Sequence, residues 1–292
     1  MAYPGGKNGA GVYQRIINLM PPHDTYVEPF LGGGAVMRLK RPATLNIGLD
    51  LDRALIRAWR AALDRPSPNL ASAAATKGRP LPEPSPVPAV QASADLVASP
   101  AAAILVASPA AAMCDRGAAP RQLDPASLNL PVTAANFRFV HGDALTWLRN
   151  TSRLGSRDLV YCDPPYVHST RGRADLYKHE MTDAQHSQLL DAILNLQCMV
   201  MISGYWCSLY ARRLKNWNAI HFEAMTRAGR TATEWLWFNF PVPVALHDYS
   251  YLGENFRERE RIKRKKLRWS NRLRQMPLLE KRALLAAIEA TA

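Results

Sequence analysis

Val27-Glu28-Pro29-Phe30-Leu31-Gly32-Gly33-Gly34-Ala35-Val36 is the stretch whose reading decides the fold. A short strand-type run, Thr25-Tyr26-Val27-Glu28, meets a proline, passes through three consecutive glycines and opens onto a helical pattern. That is how a parallel strand turns into its crossover helix. Glycines at such a turn adopt dihedrals closed to other residues and let a ligand approach the backbone. Nucleotide sites of many kinds and plain tight turns share this feature, and the Gly-Lys-Ser or Gly-Lys-Thr of a P-loop is absent.

Working outward, Leu45-Asn46-Ile47-Gly48-Leu49, Phe137-Arg138-Phe139-Val140, Leu159-Val160-Tyr161-Cys162 and Met199-Val200-Met201-Ile202 are further strand-length runs, each followed by turn chemistry or a carboxylate. Helical patterns alternate with them. The expectation is an α/β fold with a doubly wound, mostly parallel sheet covered on both faces. Thr182, with Gln185 three residues on, predicts a capping box, and the helix it opens carries Leu189, Leu190, Ile193 and Leu194 on one face. His221 to Thr226 and Thr233 to Phe240 flank Arg227-Ala228-Gly229-Arg230. This resembles a hairpin, so antiparallel pairing is expected at one edge. Trp235 and Trp237, two apart in a strand, read as sheet and core residues.

The strand tips carry the chemistry. Gly48-Leu49-Asp50-Leu51-Asp52 puts a carboxylate about 20 residues beyond the glycines, where doubly wound nucleotide folds hold a ribose. Asp50 is assigned to that ligand and Asp52 to capping the helix from Arg53 onward. Gly142-Asp143-Ala144 ends a third strand, and Tyr161-Cys162-Asp163-Pro164-Pro165-Tyr166 a fourth. Ligands of open α/β sheets bind beyond the carboxyl ends of the strands, so all four tips should share one crevice. Asp163-Pro164-Pro165-Tyr166 is the most specific signal. Two prolines fix the backbone and remove two amide donors, leaving a carboxylate and carbonyls as acceptors beside an aromatic face. Such a site suits a planar ring that bears an amine.

With 292 residues, 48% of them hydrophobic, the chain can bury one substantial core plus appendages. A formal charge of +13 points to a polyanionic partner, the alternative being an ordinary basic surface. The N-terminus has no apolar signal region and no stretch reads as a membrane span, so a soluble, intracellular protein without membrane contact is expected. Cys114, Cys162, Cys198 and Cys207 lack paired metal-ligand spacing, and His179 and His186 have no partner at ligand spacing. Free thiols, solvated or loop histidines and no metal follow. From 65 to 135 the composition turns to Ala, Pro and Ser, and Leu96 to Ala103 recurs as Leu105 to Ala112. This is a low-complexity insert, with few aromatic residues and no dense basic cluster to read bases.

Two basic segments remain. His168, Arg171, Arg173, Tyr177 and Lys178 follow the catalytic-type tetrapeptide and could close over a base and grip phosphates, or form a basic loop of no set role. Arg257 to Trp269, which includes Lys263, Arg264, Lys265, Lys266 and Arg268, is continued by Arg272 and Arg274. It reads as a phosphate-tracking helix, the alternative being a solvated face.

Together these residues closely resemble the DNA N6-adenine methyltransferase family of the bacterial Dam enzymes, particularly its compact phage and prophage forms. The resemblance runs from Tyr3-Pro4-Gly5-Gly6-Lys7 through Glu28-Pro29-Phe30 and its glycines, Asp50, Asp143 and Asp163-Pro164-Pro165-Tyr166. It extends to Tyr177 to Asp183, Ser203-Gly204-Tyr205, Thr233 to Trp237 and the basic tail. It implies a fold of the S-adenosylmethionine-dependent methyltransferase type with that compound as cofactor. Tyr3, Lys7, Glu28, Pro29, Phe30, Gly32, Gly34, Asp50, Asp143 and Asp163 would line the cofactor, and Asp163, Pro164, Pro165 and Tyr166 would be catalytic. Arg171, Arg173, Lys178 and the tail's Lys263, Arg264, Lys265, Lys266 and Arg268 would contact double-stranded DNA. In Dam-type enzymes the target-recognition region lies between the motifs matching Asp50 and Asp143. This chain has the Ala- and Pro-rich insert there, so no recognition sequence carries over.

The implied reaction is direct methyl transfer to the N6 amine of a flipped adenine, in the cytoplasm of a bacterial or phage-infected cell. RNA or protein amide methylation, and a nonenzymatic DNA-binding protein on the same scaffold, are the rival readings. The expected organisation is a catalytic domain in two parts, 1–64 and 136–252, an insert at 65–135 and a basic helical extension at 253–292.

Overall fold

The structure, a computed structural model, describes residues 7, 9, 11–63, 136–171, 177–225, 229 and 231–291. Seven strands, β1 Thr25–Glu28, β2 Leu45–Asp50, β3 Phe137–His141, β4 Asp158–Cys162, β5 Met199–Gly204, β6 Asn218–Met225 and β7 Thr231–Phe238, form one sheet in the order β3-β2-β1-β4-β5-β7-β6. The first five are parallel, and β7 runs antiparallel to both β5 and β6. This is the doubly wound, mostly parallel sheet with an antiparallel edge hairpin that the sequence predicts. The insert and its duplication, Tyr3, Arg173 and Cys114 lie outside the described residues.

Helices α1 Val12–Ile17, α2 Ala35–Leu39 and α3 Arg53–Leu63 cover one face, and α4 Ala144–Asn150, α5 Asp183–Leu194 and α6 Ser208–Arg213 the other. Strand periodicity divides the core between them. Tyr26, Leu159, Tyr161 and Met201 face the first layer with Ile16, Val36, Met37 and Ile56. Val27, Val160, Cys162, Val200 and Ile202 face the second with Leu148, Leu189, Leu190 and Ile193. Both faces of the central strands are therefore buried, which is why β4 and β5 read as unbroken apolar runs.

The crossover after β1 leads to β2 on one side, and the crossover after β4 leads to β5 on the other. Adjacent strands whose chains depart in opposite directions leave a crevice beyond their carboxyl ends. The glycine turn follows β1 and Asp163 follows β4, so the fold brings the two main motifs to that crevice.

Three sequence expectations shift. Strand β7 ends at Phe238 rather than Phe240 because the Asn239 side chain takes over the ladder, accepting from Val200 N–H at 2.7 Å and donating to the Cys198 carbonyl at 2.9 Å. The buried face of α5 is His186, Leu189, Leu190 and Ile193, whereas Leu194, in the last turn, is exposed. His186 is thus not a solvated histidine. Its Nδ1 lies 3.0 Å from the Tyr210 hydroxyl, and burial pulls its pKa down to about 4, so it is neutral. The capping box itself is present, with Thr182 and Gln185 bonding each other's backbone N–H.

After β7, residues 241–252 cross back over the first layer. The His247 N–H donates to the Met20 carbonyl, and the Tyr251 hydroxyl to the Leu39 carbonyl. The chain then enters α7 Phe256–Gln275 and α8 Leu278–Glu289, neither of which has a buried residue.

Candidate active site

Beyond the carboxyl ends of β1 and β4 lies a cleft of about 920 Å³, open mouth included. Its walls include Glu28 to Val36 from the glycine turn, Asp50 from β2, Asp143 from the end of β3, and Asp163, Pro164 and Pro165 from the end of β4. All four predicted strand tips therefore meet at one cavity.

Carboxylates hold the glycine turn in shape. Asp50, 8% exposed, accepts the Gly32 N–H on Oδ2 at 2.9 Å and the Asp52 N–H on Oδ1 at 2.8 Å. Asp52 caps α3 through the Ala54 and Leu55 amides. Gly34 sits at φ +52°, and a Cβ there would fall 2.5 Å from the Trp59 ring, so only glycine fits. Glu28 reaches past the turn, its Oε2 accepting from the Tyr26 hydroxyl and the Met37 N–H, each at 3.1 Å. Burial, and after it the neighbouring Asp163, raises the Glu28 pKa to about 8. On the opposite wall Asp143 is the N-cap of α4, accepting from Thr146 N–H at 2.8 Å.

These bonds decide what the turn can hold. A phosphate cradle needs free amides at the turn and helix start. Here the Gly32 amide is bound to Asp50, the Gly34 amide to the Leu31 carbonyl and the Met37 amide to Glu28, while the Ala35 and Val36 amides stand at the start of α2 with no intrahelical acceptor. Glu28, Asp50, Asp143, Asp163 and Glu180 line the cleft, and Lys7 is the sole Lys or Arg among its described lining residues. Glu28 is protonated at neutral pH, Asp163 is paired with Lys7 and Glu180 with Arg171, so among the described residues Asp50 and Asp143 carry the wall's uncompensated negative charge. The charge of such a wall favours a nucleoside with a cationic group over a polyphosphate.

At the centre Lys7 and Asp163 form an ion pair at 2.6 Å, with side chains 6% and 17% exposed. Lys7 also lies 3.1 Å from Glu234 of β7. Tyr166 donates to Glu234 and receives from Lys7. Two carboxylates around one ammonium favour its charged form, and the Lys7 pKa rises above its usual range against the pull of burial. Ser203, at the end of β5, donates to Asp163 Oδ1 at 2.9 Å. Neither Ser203 nor Glu234 had a role assigned from sequence, because the partners that reveal one come from distant strands. Cys162 beside Asp163 is no nucleophile, since burial holds its thiol far above its usual range.

Tyr166 does not stand on the cleft wall. It is 6% exposed, with the Tyr205 ring edge-on at 4.7 Å and Lys7 Nζ 4.8 Å from its centroid. Instead Tyr177 lines the cleft, held by its N–H to Glu180 at 2.9 Å. The Arg171 side chain is 2% exposed and grips both Glu180 oxygens, at 3.0 and 2.7 Å, so it ties this segment down rather than facing solvent. Lys178 is paired with Asp52 at 2.9 Å across the mouth of the cleft. Lys263, Arg264, Lys265, Lys266 and Arg268 are exposed along α7, away from the cleft lining.

Among the described residues no group of three or more His, Cys, Asp or Glu side chains could hold a metal ion, and no helix is long and apolar enough to cross a membrane. No protein-family model matches the chain, and no curated protein matches it. Among solved structures it is similar to the precorrin 8w decarboxylase of Methanobacterium thermoautotrophicum, at 11% identity over 82% of this chain and 94% of that one, TM-score 0.38. It is also similar to the 23S rRNA methyltransferase ErmE, at 11% identity over 80% and 67%, TM-score 0.37. Likeness at this level carries no argument about chemistry. The functional reading rests on the cleft.

Proposed function

We propose that the protein is an S-adenosylmethionine-dependent methyltransferase that acts on the N6 amine of adenine in double-stranded DNA. The observation that carries this reading is the pairing of a cleft whose unpaired carboxylates, among the described residues, are Asp50 and Asp143 with the rigid acceptor set of Asp163 and Pro164 at its end. A sulfonium nucleoside is cationic at its reactive centre and carries no phosphate, which is the ligand that wall accepts.

In this reading Asp50 faces the ribose, Asp143 lies near the cofactor adenine and Phe30 supplies apolar surface. Lys7 is the cation available to the amino-acid carboxylate. When bound, S-adenosylmethionine supplies a methyl group whose S–C bond breaks as the amine lone pair forms the new N–C bond, leaving a neutral thioether. The chain's own task is to present that lone pair. The Asp163 carboxylate and the Pro164 carbonyl accept the two amine hydrogens, and the surplus proton then passes to solvent. Stacking by Tyr166 requires the Tyr205 ring or Lys7 to move off its face as the flipped base enters. Arg171 holds the flanking segment for which Arg173 and Lys178 supply phosphate contacts, and α7 adds backbone affinity.

Calorimetry with S-adenosylmethionine, S-adenosylhomocysteine, ATP and NAD tests the cleft directly. Binding of the first two and none of the phosphate-bearing pair is expected. Preference for ATP or NAD would overturn the reading. Transfer to RNA or to a protein amide in place of DNA would keep the cofactor assignment and replace the substrate.

A further inference from the structure

Resting on the reading just given, we infer that Ser203 and Tyr161 are positioning residues that orient Asp163 for the reaction, through a buried hydroxyl chain running Tyr161 to Ser203 to Asp163.

Strand alternation sets the chain up. Tyr161 and Asp163, two apart on β4 and its extension, fall on one side of the sheet, and Ser203 reaches them from the neighbouring β5. Tyr161 and Ser203 are both 0% exposed. The Tyr161 and Ser203 oxygens are 3.0 Å apart, and Ser203 Oγ is 2.9 Å from Asp163 Oδ1.

The direction of the chain follows from counting hydrogens. Ser203 has one hydroxyl proton and three candidate acceptors, the Cys162 carbonyl at 3.5 Å, the Tyr161 hydroxyl at 3.0 Å and the Asp163 carboxylate at 2.9 Å. The shortest, charge-assisted bond takes it. Tyr161 must then be the donor to Ser203, and burial keeps its phenol protonated well above the usual range.

The consequence lies in which oxygen is occupied. Lys7 and Ser203 both donate to Oδ1, and no described residue donates to Oδ2. Two donors from different directions fix the carboxylate plane, so that Oδ2 is the oxygen left for the substrate amine. Without Ser203, Lys7 alone holds Oδ1, and an ammonium with three rotating donors sets no plane. The carboxylate would then turn, and a misdirected acceptor costs rate rather than affinity.

The test compares wild type, Ser203→Ala, Tyr161→Phe and the double variant, all as full chains. Single-turnover methyl transfer to DNA, cofactor affinity by calorimetry and DNA affinity are measured for each. Loss of one hydrogen bond to a charged group predicts a rate about 10- to 100-fold lower in Ser203→Ala, with both affinities unchanged. Tyr161→Phe should lose less, and the double variant should be no slower than Ser203→Ala, because Tyr161 acts only through Ser203. Crystals of Ser203→Ala should show the Asp163 carboxylate rotated. A Ser203→Ala rate equal to wild type, or additive losses in the double variant, overturns the chain alone. A wild type that binds cofactor but methylates no DNA overturns the proposed function, and the positioning role with it.

Discussion

Asp163 is the residue on which the proposed chemistry turns, and its surroundings say how its removal should behave. It sits at a strand tip with 17% exposure rather than in the apolar core, so Asp163→Ala should fold while methyl transfer drops below detection. Turnover near wild type would remove it from the mechanism. Glu28 answers to a different probe. Its pKa is raised from 4.5 to about 8, so the folded state holds a proton that the unfolded state gives up. The stability this contributes is complete below pH 4.5 and is lost as pH rises through about 8. Glu28→Gln mimics the protonated acid and keeps an acceptor for Tyr26 and Met37. Urea unfolding of both proteins between pH 5 and about 9 should therefore show wild type losing stability relative to Glu28→Gln as pH rises. A constant difference would mean that Glu28 is ionised throughout. At this scale the sequence showed the residues whose chemistry is local, namely Asp50, Asp52, Asp143 and Asp163. Glu234 and Ser203 stayed hidden because what defines them is a bond to another strand, and the covering of the Tyr166 ring by Tyr205 and Lys7 is not visible in a tetrapeptide.

The elements were legible wherever period and capping agree. Strands β4 and β5 appear as apolar runs because both faces are buried, and α5 begins where Thr182 and Gln185 say it should. The stripe at positions 186, 189, 190 and 193 has the i, i+3, i+4, i+7 spacing of a buried face, so the burial of His186 was available in the pattern once Leu194 was left to the exposed last turn. What separates α3 from β3 in sequence is the Ala- and Pro-rich segment. Strand β3 is nevertheless held by β2 along its whole length, and the Arg60 guanidinium donates to the Phe139 carbonyl at 2.6 Å. The α3–β3 contact is therefore made by residues outside the insert. Deleting about Pro66 to Pro120 should leave folding, cofactor binding and methyl transfer largely intact, since loop length changes closure entropy only slowly. Circular dichroism, calorimetry and a methylation assay on the deletion variant check this. Retained cofactor binding with lost methylation of the natural site would make the insert a recognition element.

Across the whole molecule the charge is divided, with an acidic cleft in a chain of net charge +13. Much of the excess is carried by α7, which runs exposed from Phe256 to Gln275. Of the four consecutive cations from Lys263 to Lys266, only Lys263 has an ion-pair partner among the described residues, Glu260 at 3.7 Å, and that pair is too exposed to hold it. If α7 tracks DNA backbone, neutralising Lys263, Arg264, Lys265 and Lys266 together should make the slope of log affinity against log salt shallower by up to about four, with site choice and cofactor affinity unchanged. An unchanged slope would return α7 to an ordinary solvated face. The central claim is tested most directly by incubating duplex DNA, RNA and a protein substrate in parallel with the full chain and methyl-labelled S-adenosylmethionine, then identifying the labelled products by mass spectrometry. The account predicts label in DNA as N6-methyladenine, absent with Asp163→Ala. Label confined to RNA or protein, or no transfer by a protein that binds the cofactor, would contradict it.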